Sequence, residues 1–171
     1  DYLTQLFDSS SSFDLGYKSI TFVPNGSPAF YGVSVCPISS LPTDPVGGTV
    51  LPLGDDDCRQ ISLVDRSVDF FGTSYLSFYA GSNGCITFVG CDTDPTESLA
   101  DHFRMPRISA LFRDLVPSGN VSWKRTPDRI AVTWDRVVEY QTSNVNTFQV
   151  ELFFDGRIRI SYADAASQRG I

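Results

Sequence analysis

Histidine is almost missing from this chain: His102 is the only one in 171 residues. A histidine-bearing zinc centre or a Ser-His-Asp site would have to use it, and no nucleophile elbow accompanies it. It reads as an exposed or capping residue rather than a general acid or base. The four cysteines, Cys36, Cys58, Cys85 and Cys91, show no CxxC spacing, which removes sulfur-ligated zinc as well. No run of about 18 apolar residues is present, so no membrane span is expected. The opening DYLTQLFDSSSSFD has no basic stretch followed by an apolar one, so it is not read as a signal peptide. The chain reads instead as a piece of something larger. Charge is also scarce, at 19%, and 20 acidic against 13 basic residues leave a net charge of -7. That balance argues against nucleic acid, whose phosphates require a basic stripe.

Aromatic residues (13%) and turn formers, with 13 Gly and 10 Pro, are plentiful. Together they suit many short strands joined by turns. Up to about Leu63 the texture is turn-rich, with strands expected at 20–22, 29–35, 48–53 and 60–64. Longer strands follow near 67–71, 75–80, 85–89, 107–113, 119–125, 129–138, 147–154 and 157–162. Turns such as GSNG, PSGN, TPD and FDGR separate them. The expectation is an all-β fold, an antiparallel β-sandwich of about 10–12 strands with one short helix. Residues 1–65 would supply turn-rich strands to the same sandwich, 66–162 its core, and 163–171 a tail or linker. The helix is placed in TDPTESLADHF, with Thr93 or Asp94 as N-cap and Pro95 at its first position.

Period-two alternation sorts the faces of the later strands. Ile130, Val132 and Trp134 share one face, as do Val121 and Trp123, and both tryptophans read as core. Phe148, Val150, Leu152 and Phe154 point inward, followed by Ile158, Ile160 and Tyr162. In FFGTSYLSFYAGSNGCITF (70–88), Leu76 and Phe78 read as core opposite Ile86 and Phe88. Out of phase with them stand Tyr75 and Tyr79, whose hydroxyls can hydrogen-bond.

Three features carry chemistry. GDDD at 54–57 offers Asp55, Asp56 and Asp57, hard oxygen ligands of the kind Ca²⁺ prefers, although no EF-hand spacing surrounds them. A solvated acidic turn is the competing reading. Asp114, Asp135, Glu139 and Glu151 could in principle pair for glycoside hydrolysis, but nothing in the sequence ties two of them together. The even cysteine count suits two disulfides in an oxidising compartment, with three possible connectivities. Cys85–Cys91 is favoured on condition that the chain bends at Gly90 or the strand ends early, leaving Cys36–Cys58 as the other bridge. Asn25-Gly26-Ser27 and Asn120-Val121-Ser122 match glycosylation sequons.

The run FFGTSYLSFYAGSNGCITF, then PRISALFRDLVPSGNVSWKR, DRIAVTWDRVVEY and NTFQVELFFDGRIRISY, resembles the nidogen-type extracellular (NIDO-like) domain. The likeness covers about residues 66–162 and is greatest to secreted bacterial versions of the planctomycete type. It implies a secreted β-sandwich of adhesion or matrix proteins, with no catalytic residues to carry over. The sequence departs from that pattern at Cys85 and Cys91, and its N-terminal region lies outside the animal version.

These readings lead to a non-catalytic extracellular binding module within a larger secreted protein, monomeric, with a polysaccharide as ligand. Tyr75, Tyr79, Gln149, Glu151, Phe153, Arg157 and Arg159 are the expected ligand-binding residues. Tyrosine rings stack on sugar faces and arginine forks pair with carboxylate or sulfate, which points to an anionic glycan. The alternative is a protein–protein adhesion or spacer domain; a small polysaccharide-active enzyme stands third.

Overall fold

The computed structural model describes residues 4, 5, 7, 13–27 and 30–165. The expected serine run at 9–12, the first residue of the strand at 29–35 and the tail from 166 lie outside the described residues. In chain order the elements are β1 (Lys18–Pro24), β2 (Tyr31–Pro37), β3 (Thr49–Val50), β4 (Cys58–Ser62), β5 (Val68–Phe70), β6 (Thr73–Tyr75), β7 (Ser77–Gly81) and β8 (Cys85–Thr87). Then come α1 (Leu99–His102), β9 (Arg107–Ser109), β10 (Leu115–Val116), β11 (Asn120–Arg125), β12 (Arg129–Glu139), β13 (Val145–Phe153) and β14 (Ile158–Ala165). No helix among the described residues is long and apolar enough to cross a membrane.

The strands pair antiparallel into a large and a small sheet, with β5 and β6 forming a separate hairpin. The large sheet runs β2-β1-β14-β13-β12-β11-β3, with β10 also on β12, and the small one runs β4-β7-β8-β9. The fold is therefore the all-β sandwich expected. The two inner faces merge in one apolar core, in which Phe78 and Ile86 of the small sheet meet Trp134, Phe148 and Val150 of the large one. Trp134 and Phe148 are register partners, and their rings stack at 5.0 Å. Trp134 Nε1 also donates to the Gly81 carbonyl at 2.9 Å, tying the sheets together with a buried bond. Each of these buried rings stabilises the fold by an amount whose loss to alanine costs about 3–5 kcal/mol.

Three local readings are corrected. The strand expected over 75–80 breaks at Leu76, because Thr73–Tyr75 pairs with β5 while Ser77–Gly81 pairs with β4. The break turns Leu76 outward, 67% exposed, while Tyr75 packs inward with its ring 4.6 Å from Phe88. The helix begins later, as one turn capped by Ser98, whose Oγ accepts from Asp101 N at 3.1 Å. Glu97 is drawn away from it by an ion pair with Arg113 and by the Asp114 N–H at 3.1 Å. Trp123 is half-buried at the rim of the core rather than within it.

The disulfide is Cys58–Cys91, with Cα atoms 5.9 Å apart, and neither expected pair forms. Cys85 lies buried on β8, with its Sγ beside Gly81, and stays a free thiol because Cys91 pairs with Cys58 instead. That loop returns over the end of β7: the Asp92 carbonyl stands 3.7 Å from where a Cβ on Gly81 would be, and Gly81 is the register partner of Cys58. Cys36 is exposed on β2, in the other sheet.

Candidate functional site

β2 and β3 lie at opposite edges of the large sheet, so the chain between them must cross it. It crosses the outer face as a strap. Over β13, the Thr43 N–H donates to Gln149 Oε1 at 3.1 Å, and Gln149 Nε2 donates back to the Thr43 carbonyl at 2.8 Å. The Thr43 hydroxyl donates to Glu151 Oε1 at 2.6 Å. Over β11, Lys124 Nζ donates to the carbonyls of Asp44 at 2.8 Å and Val46 at 2.7 Å.

Beneath the strap, Gln149 and Glu151 are both fully buried. Glu151 is held by Arg129 Nε at 3.0 Å and by a two-pronged contact from Arg159, one prong of which is 2.8 Å. A buried carboxylate survives only with such partners, and here it has two guanidinium groups and a hydroxyl. The buried Phe153 ring sits amid three guanidinium groups, with Arg157, Arg129 and Arg159 carbons 4.3, 5.0 and 5.4 Å from its centroid. Arg157 also pairs with Asp155 at 2.8 Å. The amide, the carboxylate and the ring expected to meet a ligand thus meet the strap and its supporting arginines.

The two tyrosines lie elsewhere. Phe78 and Ala80 point into the core, so Tyr79 projects from the outer face of the small sheet, opposite Gln60 and Thr87. Tyr75 packs beside the core at the inner end of the β5–β6 hairpin. The sandwich therefore separates the seven expected ligand residues into three places rather than one face.

The acidic loop is organised by the turn at 81–84. Ser82 N donates to the Asp57 carbonyl at 2.8 Å, and Asn83 Nδ2 donates to Asp56 Oδ1 at 2.8 Å. Asn83 Oδ1 accepts from Leu115 N at 2.9 Å, which brings the segment holding Asp114 beside the loop. Gly84 permits this crossing: φ is +73°, and a Cβ there would stand 2.2 Å from the Leu111 carbonyl oxygen. As a result Asp55, Asp56 and Asp114 each offer a carboxylate oxygen within 4.8 Å of one another. Burial, then the charges of Asp56, Asp55 and Glu97, hold the Asp114 carboxyl above its usual range. Asp57 turns away to cap its own loop, accepting from Gly54 N at 3.1 Å and Cys58 N at 2.8 Å. No sequence spacing pointed to Asp114, which lies far along the chain from the loop.

His102 is half-buried, with Nδ1 3.3 Å from Ser109 Oγ and Nε2 3.4 Å from Thr4 Oγ1. Burial first, and the nearby Arg107 charge second, push its pKa below the usual value.

A two-sheet antiparallel sandwich closed by one disulfide, with its outer face strapped by its own chain, defines the class of this protein as a disulfide-bonded β-sandwich module. A family model described as NIDO related matches residues 39–170, most of the chain, and the chain belongs to that family. No curated protein and no solved structure matches the chain.

Proposed function

We propose that this domain is a non-catalytic interaction module of a larger secreted protein, and that it recruits an extended segment of a partner protein along the free edge of β2. The observation that carries this reading is the edge itself. Among the described residues β2 pairs only with β1, yet Tyr31–Pro37 contains no charged residue, and Val33 and Val35 stand 47% and 53% exposed. Natural sheet edges are normally protected by charge, bulges or covering segments, because bare N–H and C=O groups template another strand. An uncharged edge with an apolar row suits strand addition, in which backbone bonds give affinity and side-chain pockets give specificity. The disulfide and the family are compatible with an extracellular location.

Surface plasmon resonance against a panel of extracellular matrix proteins tests this. Binding to a panel member that Val35→Lys abolishes, with the melting temperature unchanged, supports the reading. Binding indifferent to Val35→Lys, or no binding to any member, overturns it.

Polysaccharide binding is the second reading, favoured by Tyr79, which lies half-buried beside Gln60 on the outer face of the small sheet. Affinity electrophoresis against uronate-rich, sulfated and neutral polysaccharides decides it, and absence of retardation in all three removes it. The calcium expectation carries over to Asp55, Asp56 and Asp114, whose oxygens the fold brings together.

A further inference from the structure

The large sheet is wider than the small one that covers it. Over β1, β2 and β14 its inner face is roofed instead by the β5–β6 hairpin and the segment from α1 through β9, and between them lies a cavity of about 830 Å³. That is the size of pockets that enclose small organic ligands. Its walls are largely apolar and aromatic, with Phe22, Tyr31, Phe71 and Tyr75 among them.

Two observations distinguish it from a packing defect. The first is the way the roof is fastened. Phe71, at the hairpin tip, has φ of +45°, a left-handed conformation rare for a bulky residue. The Tyr31 hydroxyl oxygen accepts its N–H at 3.3 Å, and the two rings meet edge-on at 5.3 Å. Gly72 beside Phe71 has φ of +77°, so the two residues form the positive-φ pair that a two-residue hairpin turn requires, and Tyr31 fastens that turn over the cavity.

The second is charge. Although the chain carries 20 acidic residues, no carboxylate lines the cavity among the described residues; the formal charges there are Arg104 and Arg107. Both arginines hold the buried Asp92, Arg104 through Nη2 at 2.9 Å, so the triad retains one positive charge. Arg107 is buried over the Phe112 ring, whereas the Arg104 side chain is 49% exposed, with the rest of its fork free of any hydrogen bond to the described residues. His102, on the same wall, adds no charge at neutral pH because its pKa is lowered.

We propose that this cavity binds an apolar monoanion, a medium-chain alkyl carboxylate, with the chain among the aromatic rings and the carboxylate on Arg104. The two sides match in sign and in number of charges, and a charge-assisted bond to guanidinium is stronger than a neutral one. Tyr31 and Val33 of β2 belong to the cavity wall but Val35 does not, so Val35→Lys tests strand addition without changing the lining of this site.

The test is calorimetric titration of the protein with decanoate and with methyl decanoate, which keeps the chain and removes the charge. Decanoate should bind saturably at one site, and the ester about tenfold or more weakly. Arg104→Gln should bring the acid down to the affinity of the ester while leaving the ester unchanged, which also reports that the variant is folded. Thr73→Trp, filling the cavity from the hairpin, should remove both. Lack of saturable decanoate binding, equal affinity for acid and ester, or a preference for the acid that survives Arg104→Gln would each overturn the proposal.

Discussion

Thr43 and Gln149 exchange two hydrogen bonds across the outer face of the large sheet, so one side-chain amide satisfies both backbone groups of a residue in the strap. The same amide nitrogen also donates to Thr133 Oγ1 at 2.8 Å. Only a side chain with an acceptor and two donors meets all three demands. Gln149→Glu would set a carboxylate against the Thr43 carbonyl and should destabilise the fold by about 2–4 kcal/mol. A lower urea midpoint at unchanged m-value is the expected result. A loss within experimental error would mean that Glu151, Arg129 and Lys124 suffice to secure the strap.

That pair also marks where the sequence stops being legible. Alternation correctly put Ile130, Val132, Trp134, Phe148 and Val150 on the inner face, because period two reports which side chains share a face. It says nothing about what lies over the other face. Gln149 and Glu151 look solvent-facing in any pattern of that kind, and the segment that buries them, LPTDPVGG, has no period of its own. Its position follows from strand order, with β2 and β3 at opposite edges, and strand order is a non-local property. The same holds for Asp114 beside Asp55 and Asp56, and for Cys58 with Cys91, 33 residues apart. Leu76 escaped for a local reason: one strand by pattern is two by pairing.

The cysteines should behave as one bridge and two unlike thiols. Closing a loop across 33 residues stabilises by about 4 kcal/mol through the entropy of the unfolded chain. The double variant Cys58→Ser, Cys91→Ser should lose about that much in urea unfolding. Cys36 is exposed and should react with an aromatic disulfide reagent in the native protein. Cys85 is buried, and desolvation pushes its thiol up to about 11 despite the Arg107 charge, so it should react only after unfolding. Two fast thiols in the native protein would contradict the buried position of Cys85.

His102 gives the fold an acid-side sensitivity. Its folded pKa lies below the ordinary 6.5, so as pH falls the unfolded chain takes up the proton first. The stability linked to neutral His102 is present above that value and is lost as pH falls through the folded pKa. Urea midpoints measured from about pH 7.5 down to about pH 5 should decline, and His102→Gln should flatten that part of the curve. An identical slope in the variant would assign the decline to other groups.

Asp114 has the opposite sign. Its folded pKa is raised, so the native state holds a proton that the unfolded chain has already released, and stability falls as pH rises through the window above the ordinary 3.8. At neutral pH the charged Asp114 faces Asp55 and Asp56 with nothing in the trio to balance them. Two outcomes follow from that repulsion. Without divalent cations, Asp114→Asn should melt at a higher temperature than the parent protein. With millimolar calcium the parent should gain stability, because an ion that binds only the native state raises the melting temperature by mass action, and the variant should gain much less. Differential scanning calorimetry with calcium and with EDTA separates the cases. If the parent melts identically in both while Asp114→Asn still melts higher, the trio is a repulsive acidic cluster that binds no ion.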